Sequence, residues 1–483
     1  MTPSAPEATP SPTPMISLGL ARITRLLEAL KSPHAATPVV HIAGTNGKGS
    51  VSAYLASTLH AADIRVGRFN SPHLVDEWDC VRLQEKVVDE RVFKEAKEEV
   101  ESVNRREALE ATPFEILTAT AFSLFARSSL EVAVVEVGMG GTGDATNVVP
   151  ATKTLLSILT AVDLDHQGFL GDTVEAIAAV KSGIVRQGGD LVVGRQAYPE
   201  VLEVAKSITE TKGARLWQAR SGSYVATTSP STTGSRQASI SLSPASVSPT
   251  PPSHPPSSDR PPPTSILANL PLPGSYQLDN SATATLAAQL LRTLPRTTEM
   301  VPRLASIPDE ALRIGIERTR WDGRLQWLEL LLPRSHESSD VGNHCRRILL
   351  DGAHNPSSAK LLASYLSSLP PSDRPTTLVF GLSAPRQAPD VLEPLLDRST
   401  GIKKVVCVEF SPPVGMPWVK ATRSEELYRA VAEMGVVGVT VQECRNVEEA
   451  FAQEVDEGEV TVVAGSLYLV ADALRFARDT ATQ

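Results

Sequence analysis

Cysteine is scarce in this chain of 483 residues: there are four, Cys80, Cys345, Cys407 and Cys444, and no two form a C-x-x-C pair. That spacing excludes a disulfide framework and the common zinc sites, and leaves reduced thiols as the expectation. Long apolar runs are missing as well, none reaching the roughly 18 residues of a membrane-spanning helix. Positive charge is not in excess, since 46 Lys and Arg stand against 55 Asp and Glu for a formal net charge of −9. No general attraction to nucleic acid or to an anionic membrane follows, so an anionic ligand must be held by a local site. The opening stretch MTPSAPEATPSPTP has no Lys or Arg and no apolar core. It therefore reads as a disordered tail rather than a secretory signal or transit peptide, and the default location is cytoplasmic.

Proline, serine and threonine are by contrast concentrated in one internal segment, Ser221 to about Ser265, which includes SPASVSPTPPSHPPSSDRPPPTS. Such a composition cannot bury enough apolar surface to offset its ordering entropy, so a disordered insertion is expected; a polyproline partner motif is the alternative reading. Elsewhere, 41% hydrophobic and 21% charged residues are ordinary for a globular chain, long enough for two or three domains.

Between tail and insertion, short apolar runs alternate with stretches of helical spacing. TPVVHIAG, EVAVVEVGMGG, TKTLLSILTAVDLDH and DLVVG read as strands, and GSVSAYLASTLHAA and DTVEAIAAVKSGIV as helices. Continuous apolar strands separated by helices indicate a parallel sheet covered on both faces. In such sheets ligands collect beyond the carboxyl ends of the strands, where Glu136, Asp165 and His166 fall. After about Leu294 the pattern restarts with RRILLDGAHN, the helix PSSAKLLASYLSSL, and then TTLVFGLS, KKVVCVEF, GVTVQEC and VTVVAGSLYLVADALRFA. The expected organisation is a tail over 1–15, a first α/β domain over 16–294 that contains the insertion, and a smaller Rossmann-like α/β domain over 295–483. No internal repeat is evident.

The stretch HIAGTNGKGS, residues 41–50, joins a strand to a helix and departs from the Walker A form G-x-x-x-x-G-K-[ST]. Ile42 stands where the first glycine belongs, and Gly49 intervenes between Lys48 and Ser50. A glycine-rich turn at a helix start still aims several backbone N–H groups at one point. Gly44, Gly47 and Gly49 permit the turn, Lys48 can reach β and γ phosphates, and Ser50 can ligate Mg²⁺. A glycine turn with a solvated lysine is the plainer alternative; the flanking strand and helix favour a nucleotide site.

At this point the chain resembles the dihydrofolate synthase and folylpolyglutamate synthase family of the Mur ligase superfamily, whose phosphate loop also places one residue between lysine and hydroxyl. The likeness runs from about Ile16 to Leu474 through ISLGL, SPHL, TPFE, EVGMGG..DATN, LDH..FLG, KSGI, LPG.YQL.N, WDGRL, DGAHNP and GSLYL. It implies a Mur-ligase-like P-loop ATPase domain followed by the smaller α/β domain. It also implies a chemistry in which ATP phosphorylates a carboxylate and the α-amine of glutamate displaces the phosphate.

Roles carry over from the resemblance residue by residue. Gly44, Thr45, Asn46, Gly47, Lys48, Gly49 and Ser50 hold ATP, joined by Asn280, Arg324 and Asp351. Ser50, Ser71, Glu136, His166 and a carbamylated Lys181 surround two Mg²⁺ sites, and the resemblance allows a monovalent cation besides. Without the resemblance, Lys181 reads as a solvated helix lysine. Lys48, Lys181, His166 and His354 are the residues expected to carry catalysis. The pterin end is implied near Ile16, Ser17, Leu18, His73, Thr112, Phe114 and Asp144; for Phe114, stacking on a flat heterocycle and a core role are equally open.

The chain also departs from the family pattern. Thr142 and Gly143 replace an arginine and leucine, Tyr276 stands where histidine is usual, Ser17 where aspartate is common, and APRQAPD follows VFGLS. None of these touches the phosphate loop, Glu136, His166 or Lys181. Because Asn46 gives G-T-N-G-K-G-S, and because the insertion suggests a fungus, dihydrofolate synthase acting on dihydropteroate, L-glutamate and ATP is the expectation. Folylpolyglutamate synthase or a bifunctional enzyme is the alternative, and a non-catalytic P-loop switch a remote one. The expected partners are these small molecules, with no nucleic acid and no membrane, and the protein is expected to be a monomer.

Overall fold

Every apolar run named above is a strand in the computed structural model, which describes residues 18–224, 236–241, 245–246, 265–333, 343–416, 418–453 and 459–481. Ile16, Ser17 and the tail lie outside the described residues. The first domain's strands are Val39–Ala43 (β1), Val66–Phe69 (β2), Val81–Leu83 (β3), Lys86–Val87 (β4), Val132–Glu136 (β5), Thr154–Leu159 (β6), Asp190–Val193 (β7) and Arg215–Gln218 (β8). The insertion region adds Ser223–Tyr224 (β9), Arg236–Ser241 (β10), Ala245–Ser246 (β11) and Ser265–Leu270 (β12). One sheet runs β11-β8-β7-β6-β1-β5-β2-β3-β4. Its six inner strands, β8 to β2, pair in parallel, and antiparallel strands close the two edges.

The helix Lys48–Ala61 that follows β1 is buried along its length from Ser50 to Leu59. A helix apolar on one stripe only would not fit there, because this one lies between the sheet and two further helices, Tyr276–Thr293 and Asp309–Arg318. At Gly315 the approach is so close that an added Cβ would stand 2.3 Å from the Thr58 Cα. The Ser57 hydroxyl donates to the Gly315 carbonyl at 2.7 Å.

Two expectations change here. Leu304, Ile307, Ala311, Leu312 and Ile316 belong to the first domain's core. The restart at 295 is therefore not the domain boundary, which lies after the helix Asp309–Arg318. The helical spacing of 295–318 says nothing about which sheet it covers, so the sequence pattern could not assign it. The segment 221–265 is also not wholly without structure. β10 pairs antiparallel with β12, and Ala238 and Ile240 are buried in the same core. QASIS alternates polar and apolar residues, a strand signal masked by the Ser-rich surroundings. Residues 225–235, 242–244 and 247–264 lie outside the described residues.

The second domain comprises Gln326–Pro333 (β13), Asn343–Leu350 (β14), Thr377–Phe380 (β15), Lys404–Cys407 (β16), Thr440–Glu443 (β17) and Val460–Ala464 (β18), in the order β13-β14-β18-β15-β16-β17. From β14 to β17 the strands are parallel, and apolar clusters cover both faces. None of the four cysteines is in a disulfide. Among the described residues, no helix is long and apolar enough to cross a membrane.

Candidate active site

The carboxyl ends of β1, β2, β5 and β6 bring together the phosphate loop, Asn70–His73, Glu136 and Asp165–His166. Gly47, at φ +89°, caps the helix Lys48–Ala61, and a Cβ there would stand 2.4 Å from the Asn280 Oδ1. The N–H groups of Thr45 and Asn46 both donate to the Ala161 carbonyl, at 2.8 and 3.1 Å. These two residues therefore shape the loop through their backbones. The first N–H groups of the helix, which have no intrahelical acceptor, are the ones directed at an anion.

The misplaced Gly49 has a physical reason. A Cβ on it would lie 2.4 Å from the Trp321 Cζ2. Trp321 opens WDGRL, the segment that leads into the second domain, so the extra residue of the loop is the surface on which that segment rests. Arg324 lies near enough to Glu136 to favour its ionised form. Asp351 accepts from the Leu325 and Ala353 N–H groups, both at 2.9 Å; both its oxygens are thus engaged in holding the turn beside Arg324. Gln277 links Asn280 to Ser50, accepting from the Asn280 Nδ2 at 3.0 Å and donating to the Ser50 Oγ at 3.3 Å.

The charges converge on Glu136. Its Oε1 is 3.8 Å from the Lys48 Nζ, and its Oε2 accepts from the Asn70 Nδ2 at 2.6 Å. Burial pushes its pKa up, opposed first by Lys48. Lys181, on the helix Val174–Ser182, is only 3% exposed, and its Nζ donates to the Gly44 carbonyl at 2.9 Å. Burial, and then Lys48, bring its pKa down to about 7. The solvated-lysine alternative is thereby excluded. His166 takes a left-handed backbone, φ +54°, beside Asp165. Burial lowers its pKa, opposed by the Asp165 carboxylate, and its side chain is 41% exposed. His354 has its Nδ1 2.7 Å from the Gly352 carbonyl, so the Nδ1 carries the proton and the Nε2 is left as an acceptor. Burial pushes its pKa down to about 4.

Among the described residues no three His, Cys, Asp or Glu side chains cluster as a metal cage. Mg²⁺ does not require one, because it commonly takes one or two protein oxygens together with phosphate oxygens and water. The buried Ser71 Oγ has no hydrogen-bond partner, and it stands on the same rim as the Glu136 carboxylate and the Ser50 hydroxyl. These residues fit a hard cation held largely by a nucleotide's phosphates.

Next to this rim a pocket with about 990 Å³ of empty space, partly open to solvent, is lined by Leu18, Ser71, His73, Thr112, Phe114 and Asp144 among others. All the described residues implied for the pterin end meet here. Phe114 is half-buried, packs on Gly138 and stacks 6.3 Å from Phe69, so one side of its ring belongs to the core and another to the pocket. Thr112 caps the helix Pro113–Arg127 in a capping box with Glu115, which occupies its hydroxyl. Asp144 accepts from the Met139 and Thr146 N–H groups at 2.9 Å, and burial pushes its pKa up. The departures at 142 and 143 are also structural. Thr142 donates through both its N–H and its hydroxyl to the Val180 carbonyl, one residue before Lys181, and the Gly143 carbonyl accepts from the Gly19 N–H.

Sequence reasoning missed two contributions from the second domain. Val414, Gly415, Met416 and Trp418 form one wall of the pocket; an isolated Trp in a Pro-rich loop was the available signal. Arg386, within APRQAPD, is 3.4 Å from Asp165 and donates to the His354 carbonyl at 3.3 Å, while the Asn355 Nδ2 reaches Asp165 at 3.4 Å. Asp165 thus joins the two domains at the cleft, and the basic residue of that divergent stretch was the clue.

Comparison with known proteins agrees with this architecture. The Mur ligase middle domain matches residues 42–288, and the dihydrofolate synthetase C-terminal domain matches residues 334–476. Saccharomyces cerevisiae dihydrofolate synthetase is 32% identical over 464 residues, covering 95% of this chain and 98% of that protein. Mycobacterium tuberculosis folylpolyglutamate synthase, solved with ADP and AMPPCP, superposes with a TM-score of 0.71 at 25% identity, covering 95% of each chain. Escherichia coli FolC, solved with DHPP and ADP, gives 0.70 at 25% identity, covering 97% of this chain and 95% of that one. With its phosphate loop, charged rim and adjoining apolar pocket, this chain belongs to the dihydrofolate synthase/folylpolyglutamate synthase family of Mur-type, ATP-dependent amide-forming ligases of folate metabolism.

Proposed function

We propose that the protein is a dihydrofolate synthase, joining 7,8-dihydropteroate to L-glutamate with release of ADP and phosphate. The observation that carries this reading is the pocket lined by Phe114 and Met139 from the first domain and by Met416 and Trp418 from the second. It is apolar and aromatic, as a flat heterocycle requires, and it shares Ser71 with the phosphate rim. A pteroate lying in it directs its carboxylate toward Lys48 and Glu136. The loop residue Asn46 and the 32% identity to the yeast dihydrofolate synthetase across nearly the whole chain favour this substrate over a folate with a glutamate tail.

In this reading the helix N–H groups after Gly47, together with Lys48 and Arg324, cradle the β and γ phosphates. Ser50, Ser71, Glu136 and His166 would hold Mg²⁺, which neutralises crowded oxygens when bound. With its pKa brought down to about 7, the buried Lys181 amine is in large part unprotonated above neutrality and so suited to react with CO₂, losing a proton. The resulting carbamate would supply a further oxygen to that cluster. His354, its ring fixed by Gly352, presents the Nε2 as an acceptor for the ammonium of glutamate. Closure of the second domain, latched by Arg386 and Asn355 on Asp165, excludes water from an acyl phosphate that water would hydrolyse.

The test is a paired assay. Purified protein with ATP, Mg²⁺ and L-glutamate should release ADP and form dihydrofolate from 7,8-dihydropteroate. Turnover of tetrahydrofolate alone would move the assignment to polyglutamylation.

A further inference from the structure

Arg68 lies at the end of β2 and is 1% exposed, the largest fully buried side chain among the described residues. Its Nε and Nη2 donate to the two carboxylate oxygens of Glu85, at 3.0 and 3.1 Å, and its Nη1 donates to the Asn70 Oδ1 at 3.2 Å. Its guanidinium carbon sits 5.0 Å from the centre of the Trp321 ring. Burying a guanidinium is costly, and an aliphatic residue would fill an inward strand position at lower cost. Its partner adds to that cost. Glu85 and the preceding Gln84 take φ of +61° and +53° at the tip of the β3–β4 hairpin, a left-handed region unfavourable to non-glycine residues. Nothing in the phosphate cradle or the pterin pocket uses this arrangement directly.

Its consequence lies one residue further on. A guanidinium can only donate hydrogen bonds, so the group facing it on Asn70 must be the carbonyl oxygen. The Asn70 amide nitrogen then faces the other way, donating to the Ser52 Oγ at 2.9 Å and to the Glu136 Oε2 at 2.6 Å. With the amide reversed, an oxygen would confront the carboxylate. We propose that Arg68 is a positioning residue which fixes the amide orientation of Asn70 and thereby turns Glu136 so that its Oε1 faces Lys48 and the phosphate rim. Trp321 lies against both Arg68 and Gly49, so the same guanidinium also supports the ring that rests on the phosphate loop.

The proposal rests on the reading of Glu136 as a metal-facing carboxylate, and the test separates the two. The full-length protein saturated with ADP is titrated with Mn²⁺ by electron paramagnetic resonance, and the half-saturating Mg²⁺ concentration is measured in turnover. Arg68→Met and Asn70→Ala should each weaken Mn²⁺ binding about tenfold, with the double variant no worse than either alone. Glu85→Gln removes the ion pair but keeps the guanidinium donor. It should lower the thermal midpoint while Mn²⁺ binding stays within about twofold, so that weakened Mn²⁺ binding in Arg68→Met does not merely follow lost stability. If Glu85→Gln weakens Mn²⁺ binding as much as Arg68→Met does, the positioning role is overturned. If Glu136→Gln weakens Mn²⁺ binding but Arg68→Met does not, the proposal is wrong; should Arg68→Met fail to fold, unaltered binding in Asn70→Ala overturns it equally. If Glu136→Gln binds Mn²⁺ as the unaltered protein does, the metal reading itself fails, and this inference with it.

Discussion

Replacing Lys181 with methionine should stabilise the protein while abolishing turnover. The wild-type amine is 3% exposed, makes one hydrogen bond to the Gly44 carbonyl, and is held down from 10.5 to about 7 by burial and by Lys48. That difference corresponds to roughly 5 kcal/mol of penalty on the charged form. Methionine keeps the apolar stem and gives up the hydrogen bond, worth about 1 kcal/mol, so a net gain of ~3 kcal/mol near pH 7 is expected. The sign follows from the direction of the shift. Below pH 7 the folded wild type must carry the buried charge and the penalty is complete. Between pH 7 and 10.5 only the unfolded chain binds the proton, so wild-type stability climbs toward the variant's by about 1.4 kcal/mol per pH unit. Urea denaturation of both proteins from pH 6.5 to 9.5 in CO₂-free buffer reads this directly. An advantage independent of pH, or a variant less stable at pH 7, would refute the reasoning. Adding bicarbonate at pH 8 should stabilise the wild type alone, as carbamylation of a neutral amine requires.

On the proposed role of Lys48 in a phosphate cradle, Lys48→Ala should lower kcat by at least about 10²-fold in a protein that still folds; full activity would sink that assignment. Gly49→Ala places a Cβ 2.4 Å from the Trp321 Cζ2 and should raise the KM for ATP about tenfold by displacing the ring, with Trp321→Ala restoring much of the loss in the double variant. Trp418→Ala should raise the KM for dihydropteroate about tenfold while leaving ADP affinity, measured by calorimetry without pteroate, unaltered. An equal loss of both would mean that the loop supports the fold rather than the pocket.

Each run read from the sequence is a strand because parallel strands covered on both faces tend to be continuous apolar runs. The inner strands β2 and β8, VGRF and RLWQ, by contrast carry arginine and polar residues and gave no such signal. The phosphate loop was legible for the same local reason, since glycines and a lysine between a strand and a helix need no distant partner to be recognised. What was not legible depends on contacts across the chain. The helix Asp309–Arg318 belongs to the first domain because Gly315 meets Thr58, a fact with no trace in its spacing. QASIS is a strand only because residues 265–270 lie beside it. The carboxylate of Asp165 marked a strand end, but its partners Asn355 and Arg386 are some two hundred residues away. Trp418 carried no motif at all.

The wall formed by Met416 and Trp418 has a thermodynamic consequence. One end of the cleft meets the second domain through Arg324, Asn355 and Arg386, and the other meets it through Val414, Gly415, Met416 and Trp418. Any ligand that binds both domains at one end bears part of the free energy of bringing them together. A ligand at the other end is then spared that share, and the factor by which the first tightens the second must equal the factor by which the second tightens the first. On the proposed assignment of the two ends to nucleotide and pteroate, affinities measured for each alone will therefore understate its affinity in the ternary complex, and by the same ratio.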